Sequence, residues 1–477
     1  STRFHALAHN VSAMTDEFDA LVARVRERVT PDAEERERMK QAVGTLTARA
    51  EAAIADLPVK GEVIQVGSTA RDTWLAGDRD IDLFVAFPPG LGRERLEEYG
   101  LDVGHAVLPD GHEEYAEHPY VVGDYEGFDV DLVPCYAVES ATNIQSAVDR
   151  TPFHTRYLAD RIDDDIAGEV RVCKQFFSAI GVYGSDLRTR GFSGYLTELL
   201  VVEYGGFRPL IEAAAEWHPP VEFDPENHGR ESFGDPLVVI DPTDPERNVA
   251  AVCSADNVAR LQHYARGLLA DPREDLFVAE ERTPLDPAAV RERVADRGTT
   301  PVAIRFTAPN LVDDQLWPQL EKSRAGLAGE LDRRGFDVLR SGTFATGYTR
   351  SGDDRTAAFL FELAVAERPA VERHEGPPVH VGDHAQDFYG KYTEGKQNED
   401  GPPYGPFIEG GRYVVERERD QPTAAAFLDS DAIFDVALGA HVESALAEGY
   451  DLLVGDEVAR LAAQFGEELA AYFDPGP

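Results

Sequence analysis

Three cysteines among 477 residues, Cys135, Cys173 and Cys253, are few, odd in number and far apart. That excludes a disulfide framework and a cysteine-based zinc site, and leaves buried small apolar side chains as the expectation. Lysine is scarce as well, supplying six of the 46 basic residues. No apolar run approaches the ~20 residues that a membrane helix needs. Arg3, His5, His9 and Asn10 interrupt the first stretch, so no signal peptide is read there and a cytoplasmic protein is the default. Methionine occurs twice. Met14 precedes a helical pattern of Leu21, Val22, Val25 and Val29, which makes it the natural start, with residues 1–13 a disordered upstream extension.

What the chain has in excess is acid. Asp and Glu total 88 against 46 Lys and Arg, a formal net charge of −42. Such a surface repels itself in ordinary salt. At molar salt the Debye length falls to ~3 Å and the repulsion is screened. Abundant carboxylates, little lysine and much alanine point to a salt-loving cytoplasm. A nucleic-acid binder usually carries a basic footprint. In molar salt counterion release contributes little, so shape, stacking and local arginines would carry RNA binding and the acidity weighs only weakly against it.

At this length three or four domains are expected. Residues 16–56 read as two helices broken at Thr30–Pro31–Asp32. Val63–Val66 and Asp80–Phe87 read as strands, and 119–125 with 127–133 as a hairpin. From Thr151 the pattern turns helical, with Ile166–Ile180, Gly194–Tyr204, Phe207–Trp217 and Asn257–Ala270 the best segments and Leu237–Ile240 a short strand. Residues 281–300 look like a linker or connecting helix. A strand at Val302–Thr307, a helix at Asp314–Arg334 and strands at Phe336–Gly342 and Ala357–Ala364 suggest a small α+β sandwich. Pro369–Gly411 shows little periodicity, and 422–474 returns to helices.

The chemistry-bearing set is an ordered one. Gly67–Ser68 ends a strand, Arg71 follows, Asp80–Ile81–Asp82 opens an apolar strand, and Asp131 precedes Pro134 on another. Side chains alternate along a strand, so Asp80 and Asp82 project to one side. Two adjacent carboxylates make a hard oxygen site suited to Mg²⁺. A third on a neighbouring strand can complete a pair of ions ~3.5–4 Å apart that serves phosphoryl transfer. A Gly–Ser turn offers N–H groups and a hydroxyl to phosphate, and Arg71 adds charge. With 88 acids in the chain, an isolated acid-x-acid triplet carries almost no information. The ordered set carries much more.

This set resembles the nucleotidyltransferase superfamily with its polymerase-β-like palm. The stretch Gly67-Ser-Thr-Ala-Arg-Asp-Thr-Trp-Leu-Ala-Gly-Asp-Arg-Asp-Ile-Asp-Leu-Phe is similar to the signature of archaeal-type (class I) CCA-adding enzymes. So are Thr151-Pro-Phe-His154, Arg171-Val-Cys-Lys174, Gly181-Val-Tyr183-Gly, Leu187-Arg-Thr-Arg-Gly-Phe-Ser-Gly-Tyr195 and Asp241-Pro-Thr-Asp-Pro-Glu-Arg-Asn-Val249. The likeness runs from about Met14 to the C-terminus and is densest between 61 and 260. Many relatives have Glu as the first metal carboxylate, where this chain has Asp80.

The resemblance implies an α+β multidomain fold. Its parts would be a head palm over 14–150, a helical neck over 151–280, an RRM- or ferredoxin-like body over 281–364 and 431–477, and a tRNA-gripping tail over 365–430. It implies template-independent addition of C, C and A to the 3′ end of tRNA from CTP and ATP, with pyrophosphate released. Asp80, Asp82 and Asp131 would be catalytic and would hold two Mg²⁺ ions, with Mn²⁺ able to substitute. Ser68, Arg71, Lys174 and Tyr183 would hold the triphosphate, Thr151 and His154 the ribose and phosphate region, and Arg247 would sit near the incoming base. Arg188 and Arg190 would touch tRNA or pair with surface acids. A homodimer is left open.

Each of these residues also has a plainer reading. Lys174 could snorkel from an apolar helix, Tyr183 could be core, His154 could cap or pack, and Arg247 could be an ordinary ion pair. His374, His380 and His384 read as a solvated loop rather than a metal site, and Tyr389, Tyr392 and Tyr404 could stack on nucleotides or simply pack. Two other functions stay open. One is a related poly(A) polymerase or small-acceptor transferase, and the other is a non-catalytic RNA-binding protein of the same fold.

Overall fold

The structure, a computed structural model, describes residues 17–229, 231–348, 355–394 and 403–477. The expectations for residues 1–13 and Met14 lie outside the described residues, as do residues 395–402 of the expected tail. The chain separates into two compact units, one ending at Glu280 and the other running from Glu281 to Gly476. Among the described residues no helix is long and apolar enough to cross a membrane. Cys135, Cys173 and Cys253 are free thiols, all buried.

The first unit opens with helix α1 over 17–29, which stops before Pro31. Helix α2 (Ala33–Ala55) restarts behind a capping box: Asp32 accepts from the Glu35 N–H, and Glu35 accepts from the Asp32 N–H. Strand β1 (Glu62–Val66) runs into α3, a single helical turn at Gly67–Ala70. Then come β2 (Asp80–Phe87), α4 (Arg93–Val107), β3 (His112–Tyr115), β4 (Pro119–Tyr125) and β5 (Phe128–Tyr136). The sheet order is β1-β2-β5-β4-β3, with β2 and β5 parallel and the other pairs antiparallel. Met39, Leu46 and Ala50 of α2 and Leu96 and Val103 of α4 close a core over Leu83, Val85 and Phe87.

Helix α4 is absent from the sequence reading, and its glycines explain why. Gly100 and Gly104 weaken a helical pattern. Here they let α4 lie directly on the sheet: a Cβ at Gly104 would stand 2.4 Å from Val121, and one at Gly100 2.6 Å from Pro134.

The remainder of this unit is mainly helical. It contains α5 (Thr151–Ala159), α6 (Asp164–Ala179), α7 (Gly194–Tyr204), α8 (Phe207–Ala215) and α9 (Ala255–Ala270). A small sheet of β6 (Val221–Phe223), β7 (Leu237–Asp241) and β8 (Asp244–Asn248) lies between α8 and α9 in the chain. One core joins Phe18, Leu21 and Val25 of α1 to Phe176 and Phe177 of α6, Leu199 of α7 and Leu261 of α9.

The second unit has α10 (Pro287–Arg297), β9 (Thr300–Ala308), α11 (Asp313–Arg333), β10 (Val338–Ala345) and β11 (Arg355–Leu363). Next come β12 (Val371–Pro378), α12 (Gly382–Glu394), β13 (Pro403–Glu409), β14 (Arg412–Glu418), α13 (Ala424–Leu428), α14 (Ala440–Glu448), β15 (Tyr450–Val454) and α15 (Ala462–Phe473). The larger sheet is ordered β10-β11-β9-β15 with all pairs antiparallel. Together with α11 and α14 this is the β-α-β-β-α-β arrangement of a ferredoxin-like body. Alternate residues of β9 feed two cores, Val302, Ile304 and Phe306 on one face and Ala303 on the other.

Strand β15 lies within a stretch that reads as helical, and it becomes a strand by pairing with β9. The stretch 369–411, which shows little periodicity, contributes two strands of the sheet β12-β14-β13 and the helix α12. His374 packs there, its ring stacked on Phe388 with 5.7 Å between centroids. Tyr392 is buried against the same ring, whereas Tyr389 and Tyr404 are exposed.

Candidate active site

The acidic centre follows from strand register. Asp80 and Asp82 lie two apart on β2, so their side chains leave the same face. Parallel pairing puts Asp131 of β5 directly opposite Asp82, and Asp129 directly opposite Asp80. Four carboxylates therefore share one patch of sheet. Burial pushes the Asp82 carboxyl up to about 6, with the like charge of Asp80 adding to the rise and Arg71 opposing it. Asp80 is raised too, by burial and by Asp78 and Asp129.

Hard oxygen donors on one face suit a divalent cation such as Mg²⁺, so the residues present fit that group. Among the described residues, no group of three or more His, Cys, Asp or Glu side chains already stands as a metal cage. The backbone sets which side chains share the face, and side-chain rotation brings adjacent carboxylates onto one ion.

The turn after β1 closes on this patch. Gly67 has φ +73, and a Cβ there would stand 2.1 Å from Asp82 Oδ2. The position therefore needs glycine for both backbone and space. Ser68 follows on α3, and its carbonyl accepts from the N–H groups of Arg71 and Thr73 at 3.3 and 3.0 Å.

Arg71 points inward. Its Nε donates to Glu198 Oε2 at 2.7 Å and its Nη1 to Thr155 Oγ1 at 3.1 Å. Lys174 joins the same knot. Its ammonium donates to Thr73 O and Thr73 Oγ1, both at 3.1 Å, and to Glu198 Oε1 at 2.9 Å. Three protons thus meet three protein acceptors, on a side chain that is 3% exposed. The Glu198 carboxylate thus pairs with Lys174 as it does with Arg71. Burial alone would push the Glu198 carboxyl up; Lys174 and Arg71, with Thr73, outweigh it and hold it down at about 2.

A second knot centres on Asp241, which is fully buried at the end of β7. Its Oδ2 accepts from Arg247 Nη1 and from His154 Nε2, each at 2.8 Å, and its Oδ1 accepts from the Thr243 N–H and hydroxyl. The His154 ring stacks on Tyr195, with 3.9 Å between centroids and 11° between planes. Burial lowers the His154 pKa against the pull of Asp241, and Nε2 is the ring nitrogen that meets the carboxylate. Thr151 opens α5, three residues before His154. Tyr183 is half-buried, and burial, then Glu198 and Asp78, keep its phenol protonated.

Arg188 and Arg190 stand exposed on the loop before α7. The backbone carbonyl of Arg190 accepts from Ser254 N and Asn257 Nδ2, which fixes the loop and leaves the side chain outward.

Sequence reasoning did not single out Asp129, Thr155, Glu198 or Asp241 as site residues. Glu198 carried a usable signal: it is an acid inside an apolar helix turn of Leu196, Leu199, Leu200 and Val201. A buried carboxylate in such a turn needs a partner.

A family model described as "Nucleotidyltransferase domain" matches residues 49–154. One described as "tRNA nucleotidyltransferase, second domain" matches 168–278, and one described as "CCA-adding enzyme, C-terminal domain" matches 297–455. The CCA-adding enzyme of Haloarcula marismortui is 64% identical, over 97% of this chain and 100% of its own length. That of Halorubrum lacusprofundi is 60% identical over 97% and 100%. That of Methanoregula boonei is 44% identical over 94% and 93%.

Proposed function

This chain belongs to the CCA-adding enzyme family, and from that premise we propose that it adds C, C and then A to the 3′ end of tRNA, from CTP and ATP and without a template. The observation that carries the reading is the register of Asp82 against Asp131, with Asp80 on the same face and the Gly67 turn closing over it. Divalent ions held by Asp80, Asp82 and Asp131, two Mg²⁺ or Mn²⁺, would neutralise charge on the reacting phosphate and lower the pKa of the attacking hydroxyl. Ser68, Arg71 and Tyr183 would meet the departing pyrophosphate. Lys174 acts from behind, through Glu198. Arg247, held by Asp241, meets the incoming base, and Thr151 and His154 line the ribose side. Arg188 and Arg190, exposed on the loop before α7, would take tRNA backbone. Catalysis is then mostly positioning and charge neutralisation. The site of action is the cytoplasm.

The test is single-nucleotide incorporation in multi-molar KCl with Mg²⁺. Acceptors are tRNA ending at the discriminator base, at C and at CC, each offered CTP or ATP alone. Addition of C, C and one A, then a stop, is the expected result. Untemplated A tails would instead mark a poly(A) polymerase, and tRNA binding without incorporation by folded protein would mark a binding module.

Gly67→Ala tests the turn. Its methyl group must displace the Asp82 carboxylate, and a ~1 Å misplacement of a catalytic group costs about 100-fold. Incorporation should fall by at least that much, with the far-ultraviolet circular dichroism unchanged. Wild-type turnover by the variant would show that Asp82 is free to move.

A further inference from the structure

The buried knot behind the acidic patch has a composition that needs explaining. It holds two cations, Arg71 and Lys174, and one carboxylate, Glu198, whose side chain is fully inaccessible. Burying a charge is costly unless it is paired and hydrogen-bonded, so each member must be satisfied by the others. Glu198 makes this work because its two oxygens face different ways. Oε2 takes Arg71 Nε at 2.7 Å. Oε1 takes Lys174 Nζ at 2.9 Å and the Thr73 hydroxyl at 2.5 Å. One carboxylate on α7 thereby ties α6 to the segment that follows the Gly67 turn.

The geometry at Arg71 is the informative part. A guanidinium is a rigid planar fork, so fixing two of its nitrogens fixes the third. Glu198 holds Nε and Thr155 holds Nη1. Neither bond uses Nη2. Arg71 lies four residues after Gly67, where a Cβ would stand 2.1 Å from Asp82 Oδ2, so its segment lies against the acidic patch.

Resting on the reading of Arg71 as a triphosphate ligand, we propose that Glu198 is a positioning residue for nucleotide binding: with Thr155 it clamps the Arg71 guanidinium so that Nη2 is presented to the triphosphate of CTP and ATP, while Lys174 serves as its counter-charge.

Glu198→Gln is the direct test, because it keeps size while removing the charge. An amide has a single acceptor oxygen, so it cannot serve Arg71 and Lys174 together. The two buried cations then repel each other and the fork turns. The KM for CTP and for ATP should rise about tenfold or more, the worth of a charge-assisted hydrogen bond. The kcat should stay within about threefold and the KM for tRNA should not move. In an Arg71→Gln background, Glu198→Gln should add less than about threefold, since both act through one guanidinium. A purely structural role gives the opposite pattern: less active protein, lower apparent kcat, unchanged KM and effects that multiply.

Thr155→Val provides the second variant and leaves no buried charge unpaired. It should raise the nucleotide KM in the same direction by about threefold. If Glu198→Gln does not fold, Thr155→Val decides, and an unchanged KM there overturns the proposal. If Arg71→Gln raises the nucleotide KM while Glu198→Gln and Thr155→Val do not, the proposal fails alone. If Arg71→Gln itself leaves that KM unchanged, the reading of Arg71 falls and the proposal falls with it.

Discussion

Asp82→Asn should abolish nucleotide incorporation, by about 1000-fold or more, and at the same time make the metal-free protein more stable at neutral pH. Both effects come from one carboxylate. Asp82 stands opposite Asp131 and shares a face with Asp80, so under the proposed function it would hold divalent ions together with them. An amide there keeps the shape and loses the charge that a hard cation needs. The stability effect has a definite sign. Burial first, then Asp80, raises the Asp82 carboxyl from an ordinary 3.8 to about 6. The folded chain therefore binds that proton more tightly than the unfolded chain. Above pH 6 the ionised group costs the fold on the order of 3 kcal/mol, and the cost fades as pH falls from 6 toward 4. In EDTA at pH 7.5 the variant should melt above the wild type, and the gap should narrow by pH 5. Incorporation is checked by single turnover with Mg²⁺. Activity within tenfold of wild type would sink the metal assignment, and a variant that melts lower at both pH values would sink the account of the buried charge.

The second large effect is expected from salt alone. A net charge of −42 on this chain repels itself strongly in dilute buffer. Its exposed ion pairs cannot offset that, because each contributes little and acids outnumber bases nearly two to one. Raising KCl from 0.2 M to 3 M shrinks the Debye length to a few ångströms and removes most of the repulsion. The melting temperature should rise by at least ~10 °C, equivalent to a few kcal/mol for a domain of this size. Differential scanning calorimetry across the salt series decides it. A melting temperature that stays level or falls would mean that the carboxylates are held in compensated networks rather than screened by solvent ions.

Local pattern carried part of this molecule well. The alternation in Asp80–Phe87 placed two carboxylates on one side before any partner strand was known. The break at Thr30–Pro31–Asp32, the helices around α6, α7 and α9, and the α+β character of 302–364 were all legible, because each depends on residues within a turn or two. Elements whose signal is set by their neighbours were not. Helix α4 carries glycines that suit the sheet beneath it, and β15 is a strand by virtue of β9. The sheet around β14 arises from a stretch whose Gly, Pro and His content hides its alternation.

The sequence by itself determined the charge of the surface, the class of chemistry and the side of the strand from which Asp80 and Asp82 emerge. These are properties of composition and of the two-residue strand period. Only the tertiary structure decided how the site is assembled. The parallel register of β2 with β5 aligns Asp82 with Asp131, and folding brings Glu198 to Arg71 across 127 positions. It also gave Lys174 a partner that periodicity does not name, the buried Glu198 carboxylate. Periodicity reports which face of an element is buried and says nothing about which element lies against it. That choice is made by the competition among distant side chains for burial and for each other's charge.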